Sequence, residues 1–303
     1  MAAVLITGGT GMIGTRLTTM LFERGHTVVY LERSPKPGSN IKTFLWNIKD
    51  GTIDSNALGG VDAIIHLAGA NIGERRWTSS RKKEILDSRI NSTNLLYREL
   101  AGVHHQVTTF ICASAVGYYG SDCGEVLKGE GDDAGTDFLA EVSRQWEDSA
   151  LQIANLGIRV VRIRTGIVLA PSGGALGPMA KQARFGLAAA LGSGRQYMSW
   201  IHLDDHCRAI IHALEHDAIH GPYNSVAPGP VSNHEFTHAL TRVMNKPMFM
   251  PNVPSFVLKL LLGEMSVLVL GGCKVSSEKL QSTGFTFKYP DLVAALKDAL
   301  KIA

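Results

Sequence analysis

The residues 7–14, Thr7-Gly8-Gly9-Thr10-Gly11-Met12-Ile13-Gly14, place four glycines between an apolar run and a helical pattern. Glycines at this spacing permit a tight turn and let backbone approach a ligand closely. A helix beginning there offers free N–H groups and the positive end of its dipole, which suits a diphosphate. In that context the loop reads as a dinucleotide fingerprint, with Gly8, Thr10, Gly11, Met12, Ile13 and Gly14 around the phosphates. About 20 residues further on, Glu32 stands where a carboxylate would accept from the ribose 2′-hydroxyl of NAD. Arg33 follows it, with Lys36 nearby. A guanidinium can clamp a 2′-phosphate bidentately, whereas a facing carboxylate would repel one. The pair therefore predicts NADP(H), with Glu32 turned aside.

These residues need a scaffold, and the sequence suggests one. Ala3–Thr7, Thr27–Leu31, Asp62–Leu67, Thr109–Ala113 and Ile158–Ile163 are apolar runs of strand length. Helical periodicity separates them, at 13–21, at about 79–100 and from Asp137 to about Asn155. Strands alternating with helices predict βαβ units and a parallel sheet. The expected fold is α/β, a Rossmann-type doubly wound parallel sheet with a smaller C-terminal α/β substrate lobe. Residues 1–170 form the dinucleotide domain, its sheet completed by parts of 199–230. Residues 171–246, rich in glycine, form substrate-lobe and cleft-covering segments, and 247–303 a small C-terminal domain ending in an amphipathic helix, Leu292–Leu300.

Composition excludes other classes. Of 303 residues 45% are hydrophobic, 19% are charged and the net charge is +3, a profile of a core-forming chain without a nucleic-acid footprint. No apolar stretch is long enough to span a bilayer, and no basic-plus-apolar leader opens the chain, so no membrane partner and a cytoplasmic setting are expected. Cys112, Cys123, Cys207 and Cys273 are scattered, which predicts neither disulfide nor zinc site, with Cys112 a buried small hydrophobe. His202 is read as a hydrogen-bonded structural residue, and no metal is expected. Arg164, Lys181, Arg184 and Arg195 would suit an anionic small-molecule substrate if they faced one cleft.

The glycine loop resembles the TGxxGxxG fingerprint of the extended short-chain dehydrogenase/reductases, the epimerase/dehydratase group. Asp62–Gly69, Phe110–Gly120 and Ser199–Asp205 resemble further signatures of that group along most of the chain. The runs HLAGANI, SAVGYYG, RTGIVL and SWIHLDD are similar to an atypical branch known as epimerase family proteins, sometimes described as cell-division inhibitors, with a small C-terminal domain of uncharacterised role. The resemblance implies cofactor contacts at Leu67, Ala68, Gly69, Glu84, Arg89 and Val168, and it supports Arg33 as a 2′-phosphate ligand. Oxidoreductase or epimerase chemistry on a small molecule is implied. The parent group often pairs two helices into a homodimer, an arrangement the resemblance allows.

In the parent group a tyrosine, with a lysine four residues later, moves protons beside the nicotinamide. Aligned on Glu147, this chain has Leu139 at the tyrosine position and Ser143 at the lysine position; the usual Ser/Thr position falls on Ala115. A leucine cannot transfer a proton. Tyr118, Tyr119 and Ser114 are the candidate replacements, and a non-catalytic NADP(H)-binding or redox-sensing regulator is the alternative to an enzyme.

Overall fold

The computed structural model describes every residue except 35–37, 39, 172 and 303. Its centre is an eight-stranded sheet in the order β8-β7-β6-β5-β1-β2-β3-β4. The strands are β1 (Ala3–Thr7), β2 (Thr27–Glu32), β3 (Thr43–Asn47), β4 (Thr52–Ile53), β5 (Ala63–His66), β6 (Thr109–Ala115), β7 (Arg159–Thr165) and β8 (Gly221–Ser225). All neighbours are parallel except β3 and β4. The order reverses between β1 and β5, the switch point at which open α/β sheets bind ligands beyond their carboxyl ends.

Helices cover both faces: α1 (Met12–Glu23), α2 (Ser79–Gly102) and α3 (Phe138–Leu151) lie in the first half, and α5 (Leu203–Glu215) after α4 (Leu176–Arg184). One apolar layer packs Val4, Ile6, Ile65 and Ile163 against Leu17 and Leu21 of α1 and Ile210 and Leu214 of α5. The other packs Leu5, Leu31, Ile64 and Phe110 against Leu95 and Leu96 of α2 and Trp146 of α3. Alternate strand residues feed opposite layers, as the two-residue period requires.

The remaining helices are α6 (Asn233–Val243), α7 (Ser255–Leu262), the short α8 (Val267–Leu270) and α9 (Glu278–Ser282), and α10 (Leu292–Leu300), at the bounds the sequence predicted. Leu292, Ala295 and Leu296 of α10 share a core with Phe236 and Leu240 of α6 and with Trp200. The glycine-rich stretch holds a regular helix, α4, whose face with Leu176, Ala180 and Ala183 is buried. One expectation needs correcting. Cys123 and Cys273, expected as unpaired thiols, form a disulfide across a sequence separation of 150. Strand Gly272–Val275 runs parallel to strand Asp122–Lys128 and brings the two together, which no local spacing reveals. Cys112 is buried as expected.

Candidate functional site

The glycine loop leaves β1 and turns into α1. Gly8 holds φ at +70°, and a Cβ there would meet the Ala68 nitrogen at 3.1 Å. A Cβ on Gly14 would stand 2.5 Å from the Gly8 carbonyl oxygen, so the first turn of α1 can sit this close only without a side chain. Gly9 is closed off by the Tyr30 ring, 2.3 Å from where its Cβ would be. Gly11 is the N-cap and provides no side-chain hydrogen bond to the helix. The first N–H groups of α1 are thus left to a ligand.

Glu32, at the end of β2, accepts from the Thr10 N–H at 3.1 Å and from the Thr10 hydroxyl at 3.3 Å. Its carboxylate is committed to the loop. Arg33 next to it is exposed. Lys36 lies outside the described residues.

A buried relay fixes the second wall. Thr7 Oγ1 lies 2.7 Å from His66 Nδ1, and His66 Nε2 lies 3.1 Å from Ser92 Oγ. Ser92 donates to the Ser88 carbonyl at 2.7 Å. The imidazole must then donate through Nε2 and accept the Thr7 hydroxyl at Nδ1, while Thr7 Oγ1 accepts the Ala68 N–H at 3.2 Å. Burial, helped by the nearby Arg89 charge, pushes His66 down to about 3, so the ring is neutral. Through this chain β5 and α2 hold Leu67 and Ala68 against the loop.

Arg89 of α2 lies over Gly69, where a Cβ would be 3.2 Å from its Cζ. Its Nη1 donates to the carbonyls of Ala70 and Ile85, at 3.1 and 2.9 Å, and its guanidinium stacks on the Trp146 ring at 4.9 Å. No carboxylate pairs with it among the described residues. Burial lowers it to about 10. Glu84 is exposed and paired with Arg81 at 2.7 Å; Arg81 itself donates to the Asn71 carbonyl. Val168, on strand Ile167–Leu169, packs in the cluster that includes Met12 and Ile13.

The candidate catalytic residues lie on a second, buried network. Glu147, 2% exposed, accepts from Ser114 Oγ at 2.7 Å and from Arg164 Nε and Nη2 at 2.8 and 3.0 Å. Arg164 Nη1 donates to the Tyr119 hydroxyl at 2.9 Å, and that hydroxyl donates to Asn224 Oδ1 at 2.7 Å. Burial alone would lower Arg164, but the Glu147 carboxylate outweighs it and holds the guanidinium above its ordinary range. Burial likewise outweighs the arginine at Tyr119 and pushes its phenol up to about 12. Ser114 and Tyr119 have their hydrogen-bonding groups engaged inside the protein. Tyr118, half-buried, lays its ring 3.5 Å from the Arg164 guanidinium carbon. Leu139 and Ser143 do reach this turn: a Cβ on Gly117 would lie 3.3 Å from Leu139 Cβ and 3.8 Å from Ser143 Oγ.

The four cations expected over one cleft are divided. Arg164 is buried in its pair with Glu147, and Lys181 and Arg184 are exposed on α4. Arg195 lines a pocket of about 460 Å³ with Asp122, Glu125, Tyr197 and Lys259, beyond the Tyr118–Tyr119 turn, so this pocket carries both signs of charge. His202 is structural in the sense expected: its Nδ1 accepts the Asp204 N–H and caps α5, where Asp204 forms a bidentate pair with Arg16 of α1. The Glu147–Arg164 network escaped the sequence reading. Arg162 and Arg164, two apart in an apolar strand, put two cations on one sheet face, a signal that a buried acid must lie opposite.

Sheet order, glycine loop and uncapped helix together define a dinucleotide-binding doubly wound protein. Residues 4–225 match the NAD dependent epimerase/dehydratase family, and 253–299 match a domain of unknown function. The chain belongs to that epimerase/dehydratase family. It is 40% identical over 299 residues to an epimerase family protein of Mycobacterium leprae, covering 98% of this chain and 95% of the other. It is 35% identical to the mouse (Mus musculus) epimerase family protein SDR39U1 over 300 residues, 98% of this chain and 99% of the other. The crystal structure of the human protein of that name, solved with NADPH, superposes with a TM-score of 0.88 at 33% identity, covering 99% of each chain.

Proposed function

We propose that this protein binds NADP(H) at the Gly8–Gly14 loop and acts as an oxidoreductase or epimerase-like enzyme on a small molecule. One observation carries the reading: the N-terminus of α1 is bare of any side-chain cap and is lined by Gly8, held at a positive φ, and by Gly9 and Gly14, where a Cβ would come within 2.5 Å of its neighbours. The residues fit a dinucleotide. Gly8, Thr10, Gly11, Met12, Ile13 and Gly14 would surround the diphosphate, Leu67, Ala68, Gly69 and Val168 would flank it, and Arg89 would offer an uncompensated cation. Glu32, bonded to Thr10, is withdrawn from the 2′-position and leaves it to Arg33, which favours NADP over NAD. Glu84 would act through Arg81, its ion-pair partner, by holding the 71–74 loop. The human relative solved with NADPH supports the same choice.

The bound nicotinamide would supply hydride transfer. The protein orients it and excludes water, and proton transfer falls to a group other than the usual pair, since Leu139 and Ser143 occupy those positions. Tyr118 is the better candidate of the three, because the hydroxyls of Tyr119 and Ser114 are bound to Asn224 and Glu147. The same engagement favours a second reading, a protein that binds NADP(H) without turnover.

Calorimetry with NADPH and NADH tests the binding. Arg33→Ala should weaken NADPH at least tenfold more than NADH, as expected for one charge-assisted phosphate contact of about 1.5–3 kcal/mol. Equal loss for both refutes the assignment. Steady NADPH oxidation with a panel of carbonyl compounds and sugar nucleotides, abolished in Tyr118→Phe, separates the enzyme from the non-catalytic binder.

A further inference from the structure

Two segments outside the dinucleotide site, joined to each other by backbone, expose large apolar side chains. Phe185 and Leu187 follow α4; Phe249 precedes α7, which itself exposes Phe256, Leu260 and Leu261, the last four at 70, 71, 75 and 62%. The segments are joined by backbone: the Val253 N–H donates to the Ala190 carbonyl at 2.9 Å and the Gly192 N–H to the Val253 carbonyl at 2.8 Å. An isolated parallel bridge pairs Leu191 with Val253, so the two segments meet there. Exposed apolar residues in such a group mark a surface that is covered in use.

Charge identifies the covering. Residues 171–203 and 236–263 contain no aspartate or glutamate. They carry Lys181, Arg184, Arg195, Arg242, Lys246 and Lys259, all exposed. Of the two acids that share a pocket with Arg195 and Lys259, Glu125 is paired with Lys274, and Asp122 lies at the edge of the face. The nearest acid after α7, Glu264, is paired with Lys82 at 2.6 Å. A second copy docked by two-fold symmetry would set these cations against themselves. Apolar side chains on segments whose lysines and arginines form no ion pair among the described residues instead match the interfacial zone of an anionic bilayer, where rings and leucines enter the acyl boundary and cations meet headgroups.

We propose that the α7 face, with the 185–191 segment, docks this protein peripherally on anionic lipid. None of the helices among the described residues is long and apolar enough to cross a membrane, so the chain would lie on the bilayer and not span it. Arg76 donates to the Leu260 carbonyl at 3.3 Å, which ties this face to the loop after β5 beside the dinucleotide site. Docking would bring the site's rim close to the lipid surface.

The test is sedimentation of the full-length protein with phosphatidylcholine vesicles, with and without phosphatidylglycerol. Binding is expected on the anionic vesicles, weakened by added salt. Phe256→Ser with Leu260→Ser should lower the partition coefficient at least about tenfold. Lys181→Glu with Arg184→Glu should lower it on anionic vesicles only. Both variants should keep the thermal midpoint and NADPH affinity of the parent, since these side chains are exposed and outside the dinucleotide site. Absence of binding to anionic vesicles, or binding that the Phe256 and Leu260 changes leave intact, overturns the proposal. So does a dimer in sedimentation equilibrium that the same changes dissolve without any lipid binding.

Discussion

Replacing Arg89 by methionine should cost ligand affinity and almost no stability, a separation that follows from its surroundings. The guanidinium is held by the Ala70 and Ile85 carbonyls and the Trp146 ring, with no carboxylate partner among the described residues. Burial brings it down to about 10, two to three powers of ten below the ordinary arginine range, so carrying the charge costs roughly 3 kcal/mol. Methionine removes that cost and also two hydrogen bonds, worth about 1.5 kcal/mol each. The two changes nearly cancel, and the side-chain stem keeps its packing, so unfolding free energy without ligand should change by no more than about 1 kcal/mol. NADPH binding should weaken by roughly 10- to 150-fold, the loss of one charge-assisted contact of about 1.5–3 kcal/mol. Urea unfolding without ligand and calorimetric titration with NADPH measure the two quantities on the same preparation. A variant that loses more than about 2 kcal/mol of stability while binding NADPH normally would show that Arg89 is structural and does not meet the ligand.

Three further outcomes are expected. Gly14→Ala places a methyl 2.5 Å from the Gly8 oxygen and 2.6 Å from Gly9 Cα, and should abolish measurable NADPH binding while costing about 1–3 kcal/mol, read by calorimetry and thermal unfolding. Glu147→Ala strips the partner from Arg164 and orphans Ser114, and a loss of about 3–5 kcal/mol in urea unfolding is expected; a loss under about 1 kcal/mol would mean the network contributes little. His66 and His206, held neutral by burial at about 3 and about 4, take up protons only on unfolding. Their contribution is complete above about pH 7 and is lost as pH falls below the ordinary histidine value of about 6.5, each by about 2 kcal/mol at about pH 5. Unfolding free energies at the two pH values check this, and His206→Gln should remove about half of the difference.

The glycine loop, the strand–helix alternation, the length of α2 and the bounds of α10 were legible in the sequence because each rests on neighbours within a turn or a strand. Glycines at fixed spacing announce a backbone constraint, and a period of 3.6 or 2 announces a buried face. The committed carboxylate of Glu32, the Thr7–His66–Ser92 relay and the Glu147–Arg164–Tyr119 network were not legible. Their partners stand 22, 59 and 105 residues apart, as in Thr10 with Glu32, Thr7 with His66 and Tyr119 with Asn224. Only the strand order, with β1 beside β5 and β7 between β6 and β8, brings such residues together. The Cys123–Cys273 bond is likewise long-range, set by the separate pairing of strand Gly272–Val275 with strand Asp122–Lys128. Sequence therefore determined where backbone would meet a diphosphate, since that depends on the absence of side chains. Tertiary structure decided which polar side chains remain available for chemistry, since a hydroxyl or a guanidinium buried beside a partner is already satisfied.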